Sequence, residues 1–531
     1  MIAILHVLLF SIFPILYLYG NNLGEIPFTE VPRALLLSVA LAILMLAALR
    51  MVVGNWDKAS LICTGVLILV FSYGHLYSEL KEFRVGSLIL GRHRLMLVVW
   101  GAVLIVWIWF VLRKIKDYSE ITKFFNIIGL LLVTFQIYSI GSRTINANRP
   151  LHNDSVQASE ATISVGASLP DIYYIILDGY ARSDVLKELY GYDNADFLEF
   201  LKSRGFYVAE SSRANYDQTV LSLASSLNME YINYFAEIYG VNSKERFRVA
   251  QLIKNSAVRK LLSQFGYKFV AFESGYERTE LRSADLYWSA ETDVVPQITS
   301  FWQFNAFESL LLESTLFRAV FDLPWLSAES LSSVVIGPEY QAHRERIKYI
   351  FERLDDATTL EGNYFVFAHI VAPHPPFVFD SEGEALTPNS AYRLADGDYY
   401  PGSREEYIER YRDQLIFVNR NIMNVIERIL EQSDQAPIII LQSDHGPGAY
   451  LVWDSPERTN LRERFGILNA YYFPGGDEGW LYPSITPVNT YRILLNRYFD
   501  GENELLDDEN YFSPWMRPYD FTRVTEMFDE K

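Results

Sequence analysis

The chain falls into two parts with different patterns of apolar and polar residues. Between Ile2 and Gly141 there are about five apolar runs, each close to the roughly 20 residues that a membrane-spanning helix needs. We place them at about 2–20, 34–53, 59–77, 95–112 and 124–142. A cleaved signal peptide would account for only the first run. The pattern therefore predicts an N-terminal transmembrane region of about five helices over residues 1–142.

The remainder of the chain consists of a polar stretch followed by alternating strand and helix patterns. Residues 143–168 are polar and typical of a linker. From Pro170 onward, short β-rich runs alternate with helical stretches, which predicts an α/β domain over residues 169–531, with a mostly parallel sheet and helices on both faces. Residues 276–335 are irregular and rich in aromatic side chains, and could cap one end of the sheet. The strands are predicted at 172–177, 205–209, 267–272, 363–370, 437–442 and 468–473. The helices are predicted at 184–203, 219–228, 248–264, 339–357 and 405–432.

Lysine and arginine residues predict the orientation of the transmembrane region, because cytoplasmic loops are enriched in them. The loop from Asn21 to Pro32 has two acidic residues and no basic one, whereas the second and fourth loops are basic. With five spans, the N-terminus lies in the cytoplasm and everything after Gly141 lies outside. The third loop opposes this orientation. Its basic residues are Lys81, Arg84, Arg92 and Arg94. We expect a multi-pass protein of the cell (inner) membrane, with its α/β domain on the extracytoplasmic or periplasmic side.

Charge divides the chain in the same way. The first 150 residues have 13 Lys and Arg against 7 Asp and Glu, whereas the rest have 33 against 58. A domain this acidic is not expected to bind nucleic acid through bulk electrostatics. The single cysteine, Cys63, lies in the third apolar run. The α/β domain therefore has no disulfide, no thiol nucleophile and no thiolate metal ligand.

Two predicted strands of the domain end in groups that bind metals. The strand at 172–177 is followed by Asp178, and the strand at 437–442 is followed closely by Asp444 and His445. The carboxyl ends of parallel strands meet at one edge of a sheet, and carboxylate oxygen with imidazole nitrogen suits a divalent metal. These residues predict a three-ligand site that is open to a substrate. Taken alone, each pattern more often belongs to a turn or a helix cap.

A third element carries hydroxyl groups. A loop enters a helix at Thr219, and small hydroxyl residues follow at Ser222, Ser225 and Ser226. A hydroxyl at the start of a helix faces free backbone N–H groups and the positive end of the helix dipole, which stabilise an alkoxide and a phosphoryl oxygen beside it. Thr219 is therefore a candidate nucleophile, and its alternative role is an ordinary helix cap.

The order of these elements resembles a known group of proteins. In chain order they are strand-Asp-Gly, Thr at a helix start, strand-His-x-Pro-Phe (His374 to Phe377) and strand-Asp-His-Gly. This resembles the alkaline phosphatase superfamily, in particular the membrane-anchored branch with lipoteichoic acid synthase and the phosphoethanolamine and phosphoglycerol transferases. Members of that branch have about five membrane spans before an extracytoplasmic catalytic domain. The resemblance covers nearly the whole chain, and its motifs are short.

The resemblance implies a role for each matching residue. Thr219 matches the nucleophile, which becomes transiently phosphorylated and also contacts the metal. Asp178, Asp444 and His445 match the remaining metal ligands. His374 matches the histidine that faces the substrate, where it would stabilise oxygen charge or protonate a leaving group.

Some neighbouring residues have open assignments. Ser222 fits a looser version of the nucleophile spacing. Arg182, just after Asp178, and Arg213, just before the nucleophile loop, could bind a substrate phosphate. His369 lies inside its predicted strand and is interpreted as structural.

The remaining histidines favour a single metal ion. Two-metal members of the superfamily need a histidine downstream of the Asp-His pair and an aspartate just before the equivalent of His374. No histidine follows His445, and residues 370–373 are Ile, Val, Ala and Pro. We expect one divalent ion, Mn or Zn, with Mg or Ca as alternatives. The sulfatases that need a Cys/Ser-x-Pro-x-Arg setting are disfavoured, because Thr219 is followed by Val, Leu, Ser and Leu.

These observations predict a membrane-anchored, metal-dependent enzyme that transfers a phospho-head group through a phospho-threonine. A membrane lipid or a lipid-linked glycan would be its substrate. The alternative enzyme is a sulfatase-like hydrolase or phosphodiesterase of the same superfamily, with water as acceptor. The alternative outside enzymes is a catalytically inactive membrane scaffold.

Overall fold

The chain forms two compact units. The first comprises Met1–Arg149 and Thr299–Glu339, and the second comprises Pro150–Ile298 and Tyr340–Lys531. The residues described by the computed structural model are 4–23, 26–80, 83–85, 88–89, 91–147, 169–290, 304–321, 337–387, 392–476 and 479–528.

Apolar helices make up the N-terminal part of the first unit. They are Leu5–Asn21, Val31–Val53, Trp56–Leu80, His93–Arg113 and Tyr118–Ala147. Within the described residues, four of these helices are long and apolar enough to cross a membrane, and Leu5–Asn21 is apolar but shorter, at 17 residues. The predicted run of about five apolar helices is confirmed. The connections include a 3₁₀ turn, Phe28–Glu30, and a small hairpin of Arg84–Val85 with Leu88–Ile89.

The outer faces of these helices are apolar. Leu36, Ile105 and Leu131 are 70%, 69% and 64% exposed. Such a continuous apolar surface is unfavourable in water and typical of a protein surrounded by lipid. Polar side chains instead face one another inside the unit, where His6 Nδ1 lies 2.6 Å from Thr64 Oγ1.

Part of a later segment packs with these helices. The described residues 304–321 contain two helices, Ala306–Glu313 and Arg318–Phe321. Leu310 and Leu311 pack against the apolar cluster of the N-terminal helices, and Arg33 Nε donates to Glu308 Oε1 at 2.6 Å. These residues therefore belong to the first unit, whereas the sequence placed all of 276–335 in the α/β domain. Residues 291–303 and 322–335 lie outside the described part of the chain.

A seven-stranded sheet forms the second unit. Its strands are β1 (Ile172–Leu177), β2 (Tyr207–Val208), β3 (Lys268–Phe272), β4 (Leu286–Trp288), β5 (Tyr364–Ile370), β6 (Ile438–Gln442) and β7 (Asn469–Tyr472). The order across the sheet is β2-β7-β6-β1-β5-β3-β4, and all neighbours are parallel except the two pairs that β7 makes. The predicted mostly parallel α/β sheet is confirmed. β4 was not predicted from the sequence, because a three-residue edge strand is too short to show a pattern.

Helices cover both faces of this sheet. All six residues of β1 are buried, so neither face is exposed. Ile172, Tyr174 and Ile176 belong to a large core on one face, which includes side chains of helices Thr219–Asn228 and Pro487–Tyr498. The other helices of the unit are Ser183–Leu189, Ala195–Ser203, Phe235–Tyr239, Phe247–Lys254, Ala257–Gln264, Gly337–Arg353, Arg404–Gln432 and Leu461–Phe465. A two-stranded ribbon pairs Tyr511–Phe512 with Thr522–Arg523.

The register of the central strands positions the candidate site. Leu177 of β1 pairs with Ile370 of β5, and Ile176 pairs with Gln442 of β6. Because the three strands are parallel and end at the same level, the residues that follow them emerge together at one edge of the sheet.

Candidate active site

Three adjacent strands bring polar side chains to this edge. Asp178 follows β1, Asp444 and His445 follow β6, and His374 follows β5. Hydrogen bonds join the three loops. The backbone N–H of His374 donates to the carbonyl of Asp178 at 3.0 Å, and the N–H of Gly179 donates to Asp444 Oδ1 at 3.2 Å. The positions of the side chains are therefore set by the sheet and by contacts between neighbouring loops.

Thr219 lies beside these groups, at the start of a buried helix. It is the first residue of Thr219–Asn228, and its Oγ1 lies 3.1 Å from His445 Nε2. The preceding residue, Gln218, is extended, and its side chain donates to the carbonyl and the hydroxyl of Ser513 at 3.0 and 2.9 Å. This contact fixes the entry of the chain into the helix. A helix start leaves backbone N–H groups without intrahelical partners, which favours an anion beside this hydroxyl.

The hydrogen bonding of His445 leaves one ring nitrogen available as a ligand. Its Nδ1 lies 2.9 Å from the carbonyl oxygen of Gly446. A carbonyl only accepts, so Nδ1 carries the proton and the lone pair is on Nε2. Burial, and then the charge of Arg464, lower the pKa of His445. The imidazole is therefore neutral at neutral pH, as a metal ligand must be.

Two buried carboxylate oxygens at this edge lack a hydrogen-bond donor among the described residues. They are Asp178 Oδ1 and Asp444 Oδ2. Burial raises the pKa of Asp178, but nearby His374, His369 and His445 lower it by more, so the carboxylate is ionised at neutral pH. An ionised buried oxygen without a donor is unfavourable unless a cation pairs with it. Ligand atoms of two overlapping trios, Asp178-His374-His445 and Asp178-His369-Asp444, lie within 4.8 Å of one another. The residues therefore fit a divalent cation with mixed oxygen and nitrogen ligands.

Two histidines of the β5 segment face this group from different positions. His374 Nδ1 lies 2.5 Å from the carbonyl oxygen of Pro375, so Nδ1 is the donor and Nε2 is open. His369 is buried inside β5, with Nδ1 2.8 Å from Thr279 Oγ1 and Nε2 3.2 Å from Asp178 Oδ2. From the sequence alone, His369 is interpreted as structural. Its contact with Asp178 makes it part of the site, and the signal for it was the register of β1 with β5.

A pocket opens beside Thr219. Asp178, His374 and His445 line it. Four further residues that line it were not predicted from the sequence, because no motif marks them: Asp396, Trp453, Arg464 and Trp515. Burial alone would raise the pKa of Asp396, but the charges of Arg464, His374 and His445 lower it below its ordinary value.

The two arginines predicted to bind a substrate phosphate lie elsewhere. Arg182 donates from Nε and Nη2 to Asp184 at 2.6 and 2.9 Å and from Nη1 to the carbonyl of Ser212 at 2.9 Å. The guanidinium of Arg213 lies over the ring of Phe528, 4.1 Å from its centre. Neither lines the pocket beside Thr219. The carboxylate of Asp184 therefore binds Arg182, and the ring of Phe528 holds Arg213.

Glu463 is a buried acid next to Arg464. Its Oε1 accepts from the hydroxyl of Tyr190 at 2.5 Å, and its Oε2 accepts from the N–H of Tyr450 at 2.8 Å. Burial raises the pKa of Glu463 from 4.5 to about 8. The folded state thus binds this proton more tightly than the unfolded state does. The resulting stability is fully present below about pH 4.5 and is lost as the pH rises through about 8.

Replacement of Glu463 by glutamine is expected to flatten this pH dependence. Glutamine does not titrate; its amide oxygen can accept from the N–H of Tyr450, and its amide nitrogen can donate to the hydroxyl oxygen of Tyr190. The thermal unfolding midpoint of the purified protein, measured from about pH 5 to about pH 9, should therefore fall less in Glu463→Gln than in the parent. Glu188→Gln is the control, because exposed Glu188 has a lowered pKa and titrates below this interval. Equal slopes for Glu463→Gln and the parent would contradict the prediction.

Comparison with known proteins gives matches to solved structures alone. No protein-family profile and no curated protein matches the chain. The C-terminal periplasmic domain of EcEptC from Escherichia coli, in complex with Zn, is 12% identical, with 67% of this chain and 91% of that chain covered and a TM-score of 0.40. The integral membrane lipooligosaccharide phosphoethanolamine transferase A from Neisseria meningitidis is 12% identical, with 97% and 95% covered and a TM-score of 0.38. The lipoteichoic acid synthase LtaP from Listeria monocytogenes is 11% identical, with 66% and 79% covered and a TM-score of 0.37.

These proteins are of the group that the sequence motifs resemble. Their identities to this chain are low. The function proposed below therefore rests on the residues of the site.

Proposed function

We propose that this chain is a membrane-integral phosphotransferase, which takes a phospho-head group from a lipid onto Thr219 and passes it to an alcohol. The observation that carries the proposal is the setting of the Thr219 hydroxyl. Its oxygen lies at a helix N-terminus, 3.1 Å from His445 Nε2, at an edge where Asp178 and Asp444 have buried oxygens without a donor among the residues that the structure describes. A hydroxyl in this setting is activated as a nucleophile.

The first half-reaction forms the bond between Thr219 Oγ1 and phosphorus and breaks the bond between phosphorus and the lipid oxygen. The Thr219 hydroxyl loses its proton to solvent and regains one from solvent when the second half-reaction frees it, while His374 supplies the proton of the lipid oxygen. A divalent ion held by Asp178, Asp444 and His445 would lower the pKa of the attacking hydroxyl and neutralise phosphoryl oxygens. The first turn of the Thr219 helix adds backbone N–H groups to the same charge. The products are a phospho-threonine ester that carries the head group and a free lipid alcohol.

His374 is the group proposed to move protons. Its Nδ1 is held by the carbonyl of Pro375, so Nε2 is the atom that exchanges a proton with the substrate. The protonated ring donates to the departing lipid oxygen, and in the second half-reaction the neutral ring accepts the proton of the incoming alcohol. Asp396 Oδ2 lies 3.8 Å from this Nε2 and stabilises the protonated ring. The second half-reaction reverses the first and frees Thr219.

The lipid substrate is supported by the architecture of the chain. Four apolar helices long enough to cross a membrane precede the domain in sequence, so donor and enzyme share one bilayer. On the predicted orientation, the domain and its site lie on the extracytoplasmic side. Zn and Mn both suit the mixed carboxylate and imidazole ligands.

Product analysis with labelled phospholipid tests the proposal. The full-length protein in vesicles is given phospholipid labelled in the phosphate and in the acyl chains, together with candidate alcohol and glycan acceptors. Transfer predicts free diacylglycerol and label on the acceptor, with little soluble phospho-alcohol. A hydrolase would release the soluble phospho-alcohol, and an inactive scaffold would release neither product with any common head group.

A further inference from the structure

A buried arginine borders the candidate nucleophile. Arg464 lies on the short helix Leu461–Phe465 and is 1% exposed. It lines the same pocket as Thr219 and His374. A permanent positive charge at such depth is unfavourable unless each part of it has a partner.

Three contacts hold its guanidinium in one orientation. Nη1 donates to Asp396 Oδ2 at 2.7 Å and to the carbonyl of Gly446 at 2.9 Å, and Nε donates to the carbonyl of Asp217 at 2.8 Å. The ring of Trp453 lies 5.1 Å from the guanidinium carbon. Gly446 directly follows His445, and Asp217 precedes Thr219 by two residues. Arg464 therefore joins the metal-binding loop to the nucleophile loop.

One nitrogen of this arginine has no partner in the described part of the chain. Nη2 makes no hydrogen bond there, although it carries two N–H donors. Because Arg464 lines the pocket, these donors are available to a group bound over Thr219. Two donors on a planar cation suit the oxygens of a phosphoryl group. The helix N-terminus at Thr219 favours an anion at the same place.

The charge of Arg464 also bears on the number of metal ions. In two-metal sites, a second cation opposes the first across the phosphoryl group and stabilises the oxygens that the first does not reach. This chain has no histidine after His445. The fixed guanidinium supplies a second positive charge at the pocket without any further ligand.

We propose that Arg464 Nη2 is an oxyanion-binding group, which holds a phosphoryl oxygen over Thr219 and takes the place of a second metal ion. The nature of the substrate, a phosphoester, rests on the proposed function. The binding of an oxyanion at Arg464 does not, and it can be measured without turnover.

Binding of inorganic phosphate tests this subsite. The full-length protein carries Thr219→Ala, which prevents covalent capture, and titration calorimetry measures its phosphate affinity after metal loading. Arg464→Gln is expected to weaken phosphate binding by about 10- to 100-fold, the usual effect of losing hydrogen bonds from a charged group. Arg464→Lys keeps the charge without the planar pair of donors, and its loss should be smaller. Bound metal per chain is expected to stay near one in both variants.

Arg462→Gln is the matched control. Arg462 is two residues earlier on the same short helix, and it pairs with Asp184 and Glu188 instead of the pocket residues. Its phosphate affinity should equal that of the parent. Thermal unfolding identifies any variant that does not fold. If Arg464→Gln does not fold, Arg464→Lys still tests the subsite.

The proposal is overturned if folded Arg464→Gln and Arg464→Lys bind phosphate as tightly as the parent. It is also overturned if the parent binds two metal ions per chain. If the protein with Thr219 turns over lipid but the Arg464 variants bind phosphate as tightly as the parent, the subsite is refuted and the proposed function stands. If phosphate binding depends on Arg464 but the protein with Thr219 turns over no lipid, the proposed function is refuted and the subsite stands.

Discussion

Replacement of Thr219 by alanine is expected to lower the turnover of labelled lipid by at least about 10³-fold, as removal of a nucleophile does in other enzymes. The physical reason is that no other hydroxyl lies at the start of this helix beside His445 Nε2 in the described structure. Thr219→Ser keeps the oxygen and should retain part of the activity. Mass spectrometry of the wild-type protein, quenched during turnover with donor lipid alone, should find the head-group phosphate on the peptide that contains Thr219.

Ser222 is the matched control for this experiment. It lies three residues later in the same helix, and its hydroxyl is buried without a hydrogen-bond partner among the described residues. It does not line the pocket beside Thr219. Ser222→Ala should therefore change turnover little. Loss of turnover in Ser222→Ala together with activity in Thr219→Ala would show that the nucleophile is misassigned.

Replacement of Asp444 by asparagine is expected to remove the bound divalent ion. Asparagine keeps an oxygen that can accept from the N–H of Gly179, as Asp444 Oδ1 does at 3.2 Å, and replaces the buried Oδ2 by an amide. Loss of a partner that only orients a metal ligand costs about 10- to 100-fold in metal affinity, so loss of a ligand should cost more. Elemental analysis should find about one ion per chain in the parent and almost none in Asp444→Asn.

Unfolding measurements give a second readout of the same change. A ligand that binds only the folded state stabilises it, so added Zn or Mn should raise the unfolding midpoint of the metal-depleted parent. The midpoint of Asp444→Asn should not respond. Asp184→Asn is the control, because Asp184 pairs with Arg182 and Arg462 away from the site. Metal retention in Asp444→Asn, or no metal in the parent, would contradict the predicted site.

Much of the prediction of site residues came from the family resemblance. The structure brings the residues that it implied, Asp178, Thr219, His374, Asp444 and His445, close together. Asp178 and Asp444 could be predicted because each follows an apolar strand, and parallel strands end at one edge. Thr219 could be predicted because a helix start is a local pattern. Ser222 remained an alternative, since spacing alone does not say which hydroxyl reaches the edge of the sheet.

Arg182 and Arg464 show where sequence proximity fails. Arg182 is near Asp178 in sequence, but Asp184 binds its guanidinium before any substrate could. Arg464 is 247 residues from Asp217 in sequence and donates to its carbonyl. Asp396 reaches His374 and Arg464 from a third loop. Such contacts leave no periodic pattern in the sequence, because each segment contributes a single residue.

By itself, the sequence of this protein determined the division into apolar helices and an α/β domain, and the residues at the ends of the central strands. Both are properties of short stretches, since span length, strand alternation and the residue after a strand are all local. Tertiary structure decided which arginine borders the pocket, how His369 contacts Asp178, and which helices the residues 304–321 pack against. Those outcomes depend on which distant segments of the chain pack together. The free energy of that packing comes from contacts between segments, so no single stretch of sequence reveals it.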